Sequence, residues 1–366
     1  MYQDNIFLLL RLGLGTDHSD SATVSALRAL PLPELRELFD IAHKQSVTGI
    51  AVDGLFNSNE LSDTPCAIDE KENEDYRYAL LGEQYNYEQA ATKQKAVLSK
   101  ISGIWKIKGL RPMLMKGWAN SLYYPVPFHR TTGDIDVFML DNGYESGNDA
   151  LAEAGAKVDT HWYKHSRIRC FGQMIENHRK FVHTRDGRRS KELDNELCSL
   201  TVQDSYNMFP ETEICLPPVQ FNALFLTYHS MAHFLSEGIT LKHVADWAMF
   251  LKAEWKNVDW KAFNEKCERY HMKRYADVMN DIAVHKLGVE LDETLVNTSS
   301  PYTQRVIDSI FNDDDKVFSS GKSGWHNRFK IVSNTIKYSW KFHKIYRGPV
   351  CVKLWQYLAG YLFKNE

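Results

Sequence analysis

The spacing of apolar residues divides the chain into three parts. Up to residue 108 apolar positions recur every three or four residues, as in PLPELRELFDIAHKQ, and this spacing predicts helices. Between residues 109 and 183 short apolar runs are bounded by Gly, Pro and Asn, which predicts strands. From residue 184 the helical spacing returns, as in LKHVADWAMFLKAE. We therefore expect an α+β fold: a small mixed β-sheet core at 109–183, flanked by an N-terminal helical region at 1–108 and a C-terminal helical region at 184–366.

The middle part contains several short elements in succession. The runs LRPMLMK and DIDVFML predict two strands, separated by a short helix in WANSLYY and a loop in PVPFHRTTG. GYESGNDALAEAGA predicts a helix that ends at a glycine. The runs KVDTHWYKH, SRIRCFG and QMIENHRKFV predict three further strands. This order of elements indicates an α/β core.

Two aspartates open the second of these strands. Side chains alternate across a strand, so Asp134 and Asp136 are expected on one face, roughly 6.5–7 Å apart along it. Ile135 and Val137 then point to the opposite face, into a core. Neighbouring carboxylates raise each other's pKa unless a cation lies between them. The pattern indicates either a cation site or an ordinary solvated strand face.

A magnesium site would give the acids a role. Mg²⁺ prefers oxygen ligands and keeps substrate phosphates in its coordination shell. Two such ions, about 3.5–4 Å apart, stabilise the attacking and leaving oxygens of a phosphoryl or nucleotidyl transfer. Glu176, in the strand QMIENHRKFV, is the candidate third ligand. Upstream, Gly117 would let the backbone approach a phosphate closely, and Lys116 would neutralise charge there.

Composition narrows the class of protein. The chain has 366 residues, 43% of them hydrophobic, and a formal net charge of −3, which argues against a protein whose main task is to bind nucleic acid. No apolar run reaches the roughly 18–20 residues that a membrane-spanning helix needs. The first residues show no secretory signal. The 6 cysteines are scattered and form no Cys-x-x-Cys pair, so we expect neither a disulfide framework nor a zinc ribbon, and a cytoplasmic location.

One stretch carries a resemblance to a known family. KGWANSLYYPVPFHRTTGDIDVFM resembles the signature of the uncharacterised nucleotidyltransferases of the NTP-transferase-5 type, within the polymerase-β-like nucleotidyltransferase superfamily. That signature is a Lys-Gly, then a Tyr-Pro, an Arg and an Asp-x-Asp. YKHSRIRCFGQMIENHRKF and TYHSMAHFLSEGITLKHVADWAMFL resemble the family's following segments.

The resemblance implies an activity and a site. The implied reaction transfers a nucleoside monophosphate from a nucleoside triphosphate (NTP) to an unknown acceptor, a small molecule or a protein, and releases pyrophosphate. The implied cofactor is Mg²⁺ or Mn²⁺, and the implied catalytic metal ligands are Asp134, Asp136 and Glu176. The nucleotide phosphates are expected near Gly117, with Lys116 and Arg130 neutralising their charge.

The residue after Gly117 departs from the superfamily's pattern. A small residue, often serine, usually follows this glycine, whereas here Trp118 follows. A tryptophan ring over the aspartates would fill the nucleotide site. The alternative function is therefore a catalytically inactive protein that keeps the nucleotidyltransferase fold and acts as a binding or scaffold partner.

Several polar residues are candidates for an acceptor site. His229 and His233 have the four-residue spacing that can bind zinc on a helix, but a metalloprotease would need a glutamate where Ser230 stands. Packing or hydrogen-bonding roles are the alternative for these histidines. We expect an acceptor to approach some of six residues: Lys164, His165, His229, His233, His243 and Asp246.

The carboxy-terminal segment mixes basic and aromatic residues. Its cations include Lys337, Lys341, Lys344, Arg347 and Lys353, and its aromatic residues include Trp340, Phe342, Tyr346, Trp355 and Tyr357. Such a segment can contact a membrane surface or nucleic acid, or it can pack its rings against the body of the protein. Packing is the reading that we favour.

Overall fold

A computed structural model describes residues 2–56, 70–183, 187–312 and 337–347. Before the sheet, the described helices are α1 (Tyr2–Leu14), α2 (Ser21–Arg28), α3 (Leu32–Lys44), α4 (Thr48–Phe56) and α5 (Glu70–Ile107). The strands are β1 (Pro112–Met115), β2 (Ile135–Met139), β3 (Lys157–Asp159), β4 (His165–Cys170) and β5 (Gln173–His178), with helices α6 (Gly117–Ser121) and α7 (Tyr144–Glu153) between them. After the sheet come α8 (Arg188–Leu200), α9 (Val219–Ser236), α10 (Leu241–Glu254), α11 (Trp260–Arg269), α12 (Lys273–His285), α13 (Thr303–Phe311) and a π-helical segment (Lys341–Tyr346). The predicted α+β fold is confirmed.

The sheet is mixed, with the strand order β1-β2-β5-β4-β3. β2 and β5 run parallel, and the other neighbouring pairs are antiparallel. The register aligns one row of residues across four strands: Met115, Asp136, Glu176 and Arg167. β2 and β5 therefore each place one carboxylate, Asp136 and Glu176, at the same level of the sheet.

The two faces of the sheet bury different cores. Ile135 and Val137 point to a cluster that includes Trp105 of α5 and Leu151 of α7. Asn177, a polar residue in the middle of β5, also lies on this face. It is fully buried, and its side-chain NH₂ donates to Tyr144 O and Asn148 Oδ1 at 3.0 and 2.8 Å. Hydrogen bonds to α7 thus satisfy the NH₂ group of Asn177 at a position where the strand pattern favours an apolar residue, whereas its Oδ1 is buried without a hydrogen-bond partner among the described residues.

The opposite face, which carries Asp136, is covered by the helices that follow the sheet. Phe138 of β2 contacts Phe181, which packs in turn on Phe221 and Phe225 of α9. This hydrophobic cluster includes helices that precede the sheet in the sequence and helices that follow it, from Ile6 of α1 to Tyr346. The helical regions before and after the sheet therefore share one core. The domain limits at 108 and 183 stay a prediction.

Helices α1 and α4 are in backbone contact. A Cβ added to Gly13 would lie 2.0 Å from Ile50 O, and one added to Gly54 would lie 2.0 Å from Leu9 O. Because a side chain at either position would clash with main-chain atoms, glycine is required at both.

The described part of the carboxy-terminal segment packs on the protein. Lys341, Phe342 and Tyr346 are buried, and Lys341 Nζ lies 4.7 Å from the centre of the Phe234 ring. The side chain of Trp340 lies under the guanidinium of Arg305. This is the packed arrangement that we favoured from the sequence. Three residues of the predicted basic and aromatic surface lie outside the described residues: Lys353, Trp355 and Tyr357. No helix in the described ranges is long and apolar enough to cross a membrane.

Candidate active site

The centre of the site is a pair of carboxylates on the parallel strands β2 and β5. Asp136 and Glu176 are register partners, and both are buried. Lys116 Nζ lies 2.7 Å from Asp136 Oδ1, and His178 Nε2 donates a hydrogen bond to the same oxygen at 2.8 Å. Burial on its own would raise the pKa of Asp136, but Lys116 and His178 hold it well below its ordinary value. Asp136 is therefore ionised at neutral pH.

Glu176 has weaker partners. His165 Nε2, Arg167 Nε and His178 Nε2 lie 3.3, 3.6 and 3.7 Å from its carboxylate oxygens. Burial and the charge of Asp136 raise the pKa of Glu176, and the charge of Asp134 adds to the shift. Glu176 is thus a carboxylate that would gain from an additional cation.

Asp134 lies one residue before β2 and is exposed. It was predicted to share a face with Asp136, and its contribution to the raised pKa of Glu176 shows that its charge reaches the carboxylate pair. Its metal role stays a prediction. The structure brings the other two predicted ligands side by side.

A tight turn between β1 and α6 places Lys116 beside Asp136. The φ angles of Lys116 and Gly117 are +48° and +21°, so two successive residues have positive φ at the end of β1. A non-glycine residue rarely adopts such a backbone conformation, which has an energetic cost of about 1–3 kcal/mol. The turn directs the ammonium of Lys116 towards β2. A Cβ on Gly117 would lie 3.6 Å from Asp134 O, so the turn lies close to the chain that enters β2.

His178 is a site residue that sequence reasoning did not assign. It lies two residues after Glu176 on β5, and alternation puts both on the same face of the sheet. The Glu-x-His spacing was therefore a usable signal. His165 of β4 is its register partner, and ligand atoms of His165, Glu176 and His178 lie within 4.8 Å of one another. Burial lowers the pKa of His178, and burial together with His178 lowers the pKa of His165 to about 4. Both imidazoles are neutral at pH 7.

Lys164 borders the same face. Burial and the charge of Lys116 lower the pKa of Lys164 to about 8, against the opposing effects of Asp136 and Glu176. The adjacent His165 has two ring nitrogens that are buried and make no hydrogen bond within the described residues. The predicted acceptor residues of this strand thus lie beside the carboxylate pair.

Arg130 is paired with a residue of α10. Its Nε and terminal nitrogen contact the two carboxylate oxygens of Asp246 at 2.6 and 2.7 Å, and Tyr124 donates a hydrogen bond to Asp246 at 2.7 Å. The guanidinium is buried. Sequence reasoning assigned Arg130 and Asp246 to two different ligands, whereas the structure joins them in one ion pair. Arg130 thereby positions the loop before β2, and neutralisation of phosphate charge by it stays a prediction.

The residue before Arg130 has a similar anchoring role that the sequence did not indicate. His129 Nδ1 lies 2.8 Å from Asp53 of α4, and His129 Nε2 lies 2.8 Å from Glu88 of α5. A Cβ on Gly49 of α4 would lie 2.3 Å from His129 O. The loop between α6 and β2 is therefore fixed on α4, α5 and α10.

The Trp118 ring does not lie over the aspartates. Its ring lies in the cluster with Ile135, on the face of the sheet opposite to Asp136. The indole N–H donates to Gln94 Oε1 at 2.6 Å, and the ring meets Phe128 and Phe209 edge to face. The alternative function rested on a Trp118 ring over the aspartates, and the structure does not have this arrangement, because α6 directs the side chain into the core on the other face of the sheet.

We expect the substitution Trp118→Phe to destabilise the fold without changing nucleotide binding. Loss of the indole N–H leaves the buried Gln94 Oε1 without this donor, at a cost of about 1–3 kcal/mol in the free energy of unfolding. Urea unfolding measures the change. Trp162→Phe, at a ring that is 45% exposed, is the control and should cost less. Tighter nucleotide binding in Trp118→Phe would contradict this assignment.

Three histidines form a second group above the sheet. His229 and His233 of α9 and His243 of α10 have ligand atoms within 4.8 Å of one another. Burial and the charge of Lys116 hold the pKa of His229 well below its ordinary value, and Lys164 also contributes. Burial, with His233 nearby, lowers the pKa of His243 to about 3. The three histidines thus lie on the side of the carboxylate site that contains Lys116 and Lys164.

Comparison with known families identifies one matching family. The sequence profile described as an uncharacterised nucleotidyltransferase, NTP-transferase-5, matches residues 33–288. The chain belongs to this family. The match includes Lys116, which directly follows β1, and the strands β2 and β5, which carry Asp136 and Glu176.

Membership of the NTP-transferase-5 family supports a general nucleotidyltransferase role, and with it an NTP substrate. The matched range also contains α9 and α10, so the three-histidine group lies within the family region. No curated protein and no solved structure matches the chain.

Proposed function

We propose that this member of the NTP-transferase-5 family moves a nucleoside monophosphate from an NTP to an acceptor hydroxyl or phosphate and releases pyrophosphate. One observation carries the proposal. Asp136 and Glu176 lie side by side on parallel strands, and the ammonium of Lys116 lies 2.7 Å from Asp136. Paired acids beside a cation are suited to a metal-bound triphosphate.

The donor atoms fit a hard divalent cation. Asp136 and Glu176 offer carboxylate oxygens at one level of the sheet, and the pKa of Glu176 is raised by burial and by the neighbouring acids. A bound cation would remove that repulsion. We therefore propose that Asp134, Asp136 and Glu176 hold Mg²⁺ or Mn²⁺. The ion supplies Lewis-acid stabilisation of the charge on the transferred phosphoryl group.

Lys116 is proposed to exchange partners when substrate binds. Its ammonium occupies an oxygen of Asp136 that a divalent cation would also need, and two cations on one oxygen repel each other. Lys116 would therefore move from Asp136 to a phosphate oxygen of the incoming nucleotide. Gly117, which has no side chain, would let the backbone approach that phosphate. Arg130, whose charge is balanced by Asp246, would have to exchange that partner to neutralise phosphate charge.

The acceptor is proposed to bind between the sheet and the helices that follow it. Lys164 and His165 lie beside the carboxylates on the sheet, and His229 lies close enough to Lys116 for that charge to lower its pKa. The proposed acceptor wall consists of Lys164, His165, His229, His233, His243 and Asp246. We also propose that Glu176 assists in accepting the proton of an acceptor hydroxyl.

The experiment uses two positions of the label in each triphosphate. The full chain is incubated with Mg²⁺ or Mn²⁺, a cell extract as the acceptor source, and each NTP labelled at the α- or the γ-phosphate. Nucleotidyl transfer moves the α-label to protein or to a small molecule and releases the γ-label as pyrophosphate. Transfer of the γ-label would instead show a phosphotransferase. If neither label is transferred to an acceptor with any of the nucleotides, the proposal is refuted.

A further inference from the structure

The three-histidine group has the shape of a metal site in its own right. His229 and His233 are one helical turn apart on α9, and His243 lies in the first turn of α10. Their ring centres are 4.6, 5.3 and 6.4 Å apart. Imidazoles that share one tetrahedral ion, with metal–nitrogen distances of about 2.0–2.1 Å, have ring centres about 5 Å apart. The observed separations bracket that value.

Polar side chains lie near the Nδ1 atoms of two of these rings. His233 Nδ1 lies 3.7 Å from Glu237 Oε2, and His243 Nδ1 lies 3.2 Å from Thr240 Oγ1 at the start of α10. In His233, a proton on Nδ1 would leave Nε2 for a shared ligand. In His243, Nδ1 also accepts a hydrogen bond from the backbone N–H of Thr240 at 3.2 Å, so the neutral ring carries its proton on Nε2. Binding of an ion through Nε2 of His243 would require the other tautomer, in which Nδ1 donates to Thr240 Oγ1 instead. Outer partners of this kind fix the orientation of metal-binding imidazoles and increase their basicity. His229 is held by stacking on Phe225.

The donor set selects the type of metal. Three neutral imidazoles, without a carboxylate or a thiolate in the group, suit Zn²⁺, Co²⁺, Ni²⁺ or Cu²⁺ and do not suit Mg²⁺, which prefers oxygen. Three protein ligands leave the fourth tetrahedral position for a water or another oxygen.

The surrounding charges indicate what takes the fourth position. Lys116 and Lys164 contribute positive charge at His229, and Lys242 and Arg130 contribute it at His243, where Asp246 opposes them. A divalent ion among these cations is favoured when an anion completes its coordination.

We propose that His229, His233 and His243 bind one transition-metal ion of the zinc type, with an open coordination position that takes an anionic oxygen. This site is separate from the carboxylate pair, and its existence does not require nucleotidyl transfer.

Cobalt provides the test, because four-coordinate Co²⁺ absorbs visible light strongly and six-coordinate Co²⁺ absorbs weakly. The full chain is freed of metal with a chelator and titrated with Co²⁺. We expect strong absorption that saturates near one ion per chain, is abolished by Zn²⁺ and persists in excess Mg²⁺.

Substitutions of single histidines test whether the ion binds to the three-histidine group. His233→Ala should weaken Co²⁺ binding by at least about 100-fold, since loss of an outer-shell partner alone costs about 10–100-fold. His229→Ala should behave alike. His285→Ala, at an exposed histidine of α12, is the control for general histidine binding. Retained Co²⁺ binding in His165→Ala would exclude the other possible metal group, which lies on the sheet and consists of His165, Glu176 and His178. Asp136→Asn should also retain Co²⁺ binding, whether or not nucleotidyl transfer is observed.

Two outcomes overturn the proposal: weak six-coordinate absorption in the unmodified protein, or strong absorption that His229→Ala and His233→Ala both leave unchanged. Circular dichroism of each variant confirms that it is folded, and His233→Gln provides a second substitution of similar size if His233→Ala unfolds.

Discussion

Substitution of Asp136 by Asn is expected to slow nucleotidyl transfer by about 10²–10⁴-fold, because a catalytic metal contributes several kcal/mol to transition-state stabilisation and each 1.36 kcal/mol is a factor of ten. The amide keeps the size of the side chain and can still accept a hydrogen bond from His178. It lacks the charge that would hold the ion. The rate of pyrophosphate release measures the loss.

A binding measurement separates this effect from unfolding. Mn²⁺ with nucleotide should raise the melting temperature of the unmodified protein through linkage, and the increase should disappear in Asp136→Asn and in Asp134→Asn. Asp149→Asn, the same substitution at an exposed position of α7, should retain both the shift and the activity. Full transfer activity in Asp136→Asn would show that the reaction does not use this carboxylate.

Substitution of Asp246 by Ala is expected to lower the free energy of unfolding by about 3–5 kcal/mol, because it leaves the buried guanidinium of Arg130 without a counter-ion. Tyr124 also loses its acceptor. Arg111→Ala is the matched control. It breaks a similar two-contact pair with Asp141 that is exposed on both sides, and such pairs contribute about 0–1 kcal/mol. Equal losses in the two variants, measured by urea unfolding, would show that burial does not strengthen the Arg130 pair.

The same variant has a pH signature. Burial opposes ionisation of Asp246, but Arg130 lowers its pKa below the ordinary value. A lowered carboxyl pKa contributes stability above the unfolded-state pKa of about 3.9, and this contribution is lost as the pH falls through the depressed native value. The stability difference between the unmodified protein and Asp246→Ala should therefore shrink below about pH 4.

Sequence patterns predicted the parts of the fold that depend on local spacing. The two-residue alternation in DIDVFM placed Ile135 in the core and Asp136 on the other face, as the structure shows. The strand itself begins at Ile135, so Asp134 lies just outside it. KVDTHWYKH was read as one strand, whereas β3 ends at Asp159 and β4 begins at His165. Hydrophobic spacing identified the strands better than it located their ends.

Side-chain pairing between distant segments could not be predicted in this way. Arg130 and Asp246 are 116 residues apart, and their contact depends on how α10 packs against the loop before β2. The direction of Trp118 depends on the positive φ angles of the turn before it, which a lysine does not signal. The placement of Lys116 on Asp136 follows from that same turn.

The backbone contact between α1 and α4 shows that the packed core extends beyond the range of the family match. The family match begins at residue 33, after α1, yet Ile6, Leu9 and Leu10 of that helix are wholly buried in the shared core. Because α4 in turn contacts the loop that carries His129, the helix outside the family match helps to support the loop that leads into β2. A substitution that disturbs the packing of α1 is therefore expected to affect the loop before β2 through α4, with no change in the candidate site residues themselves.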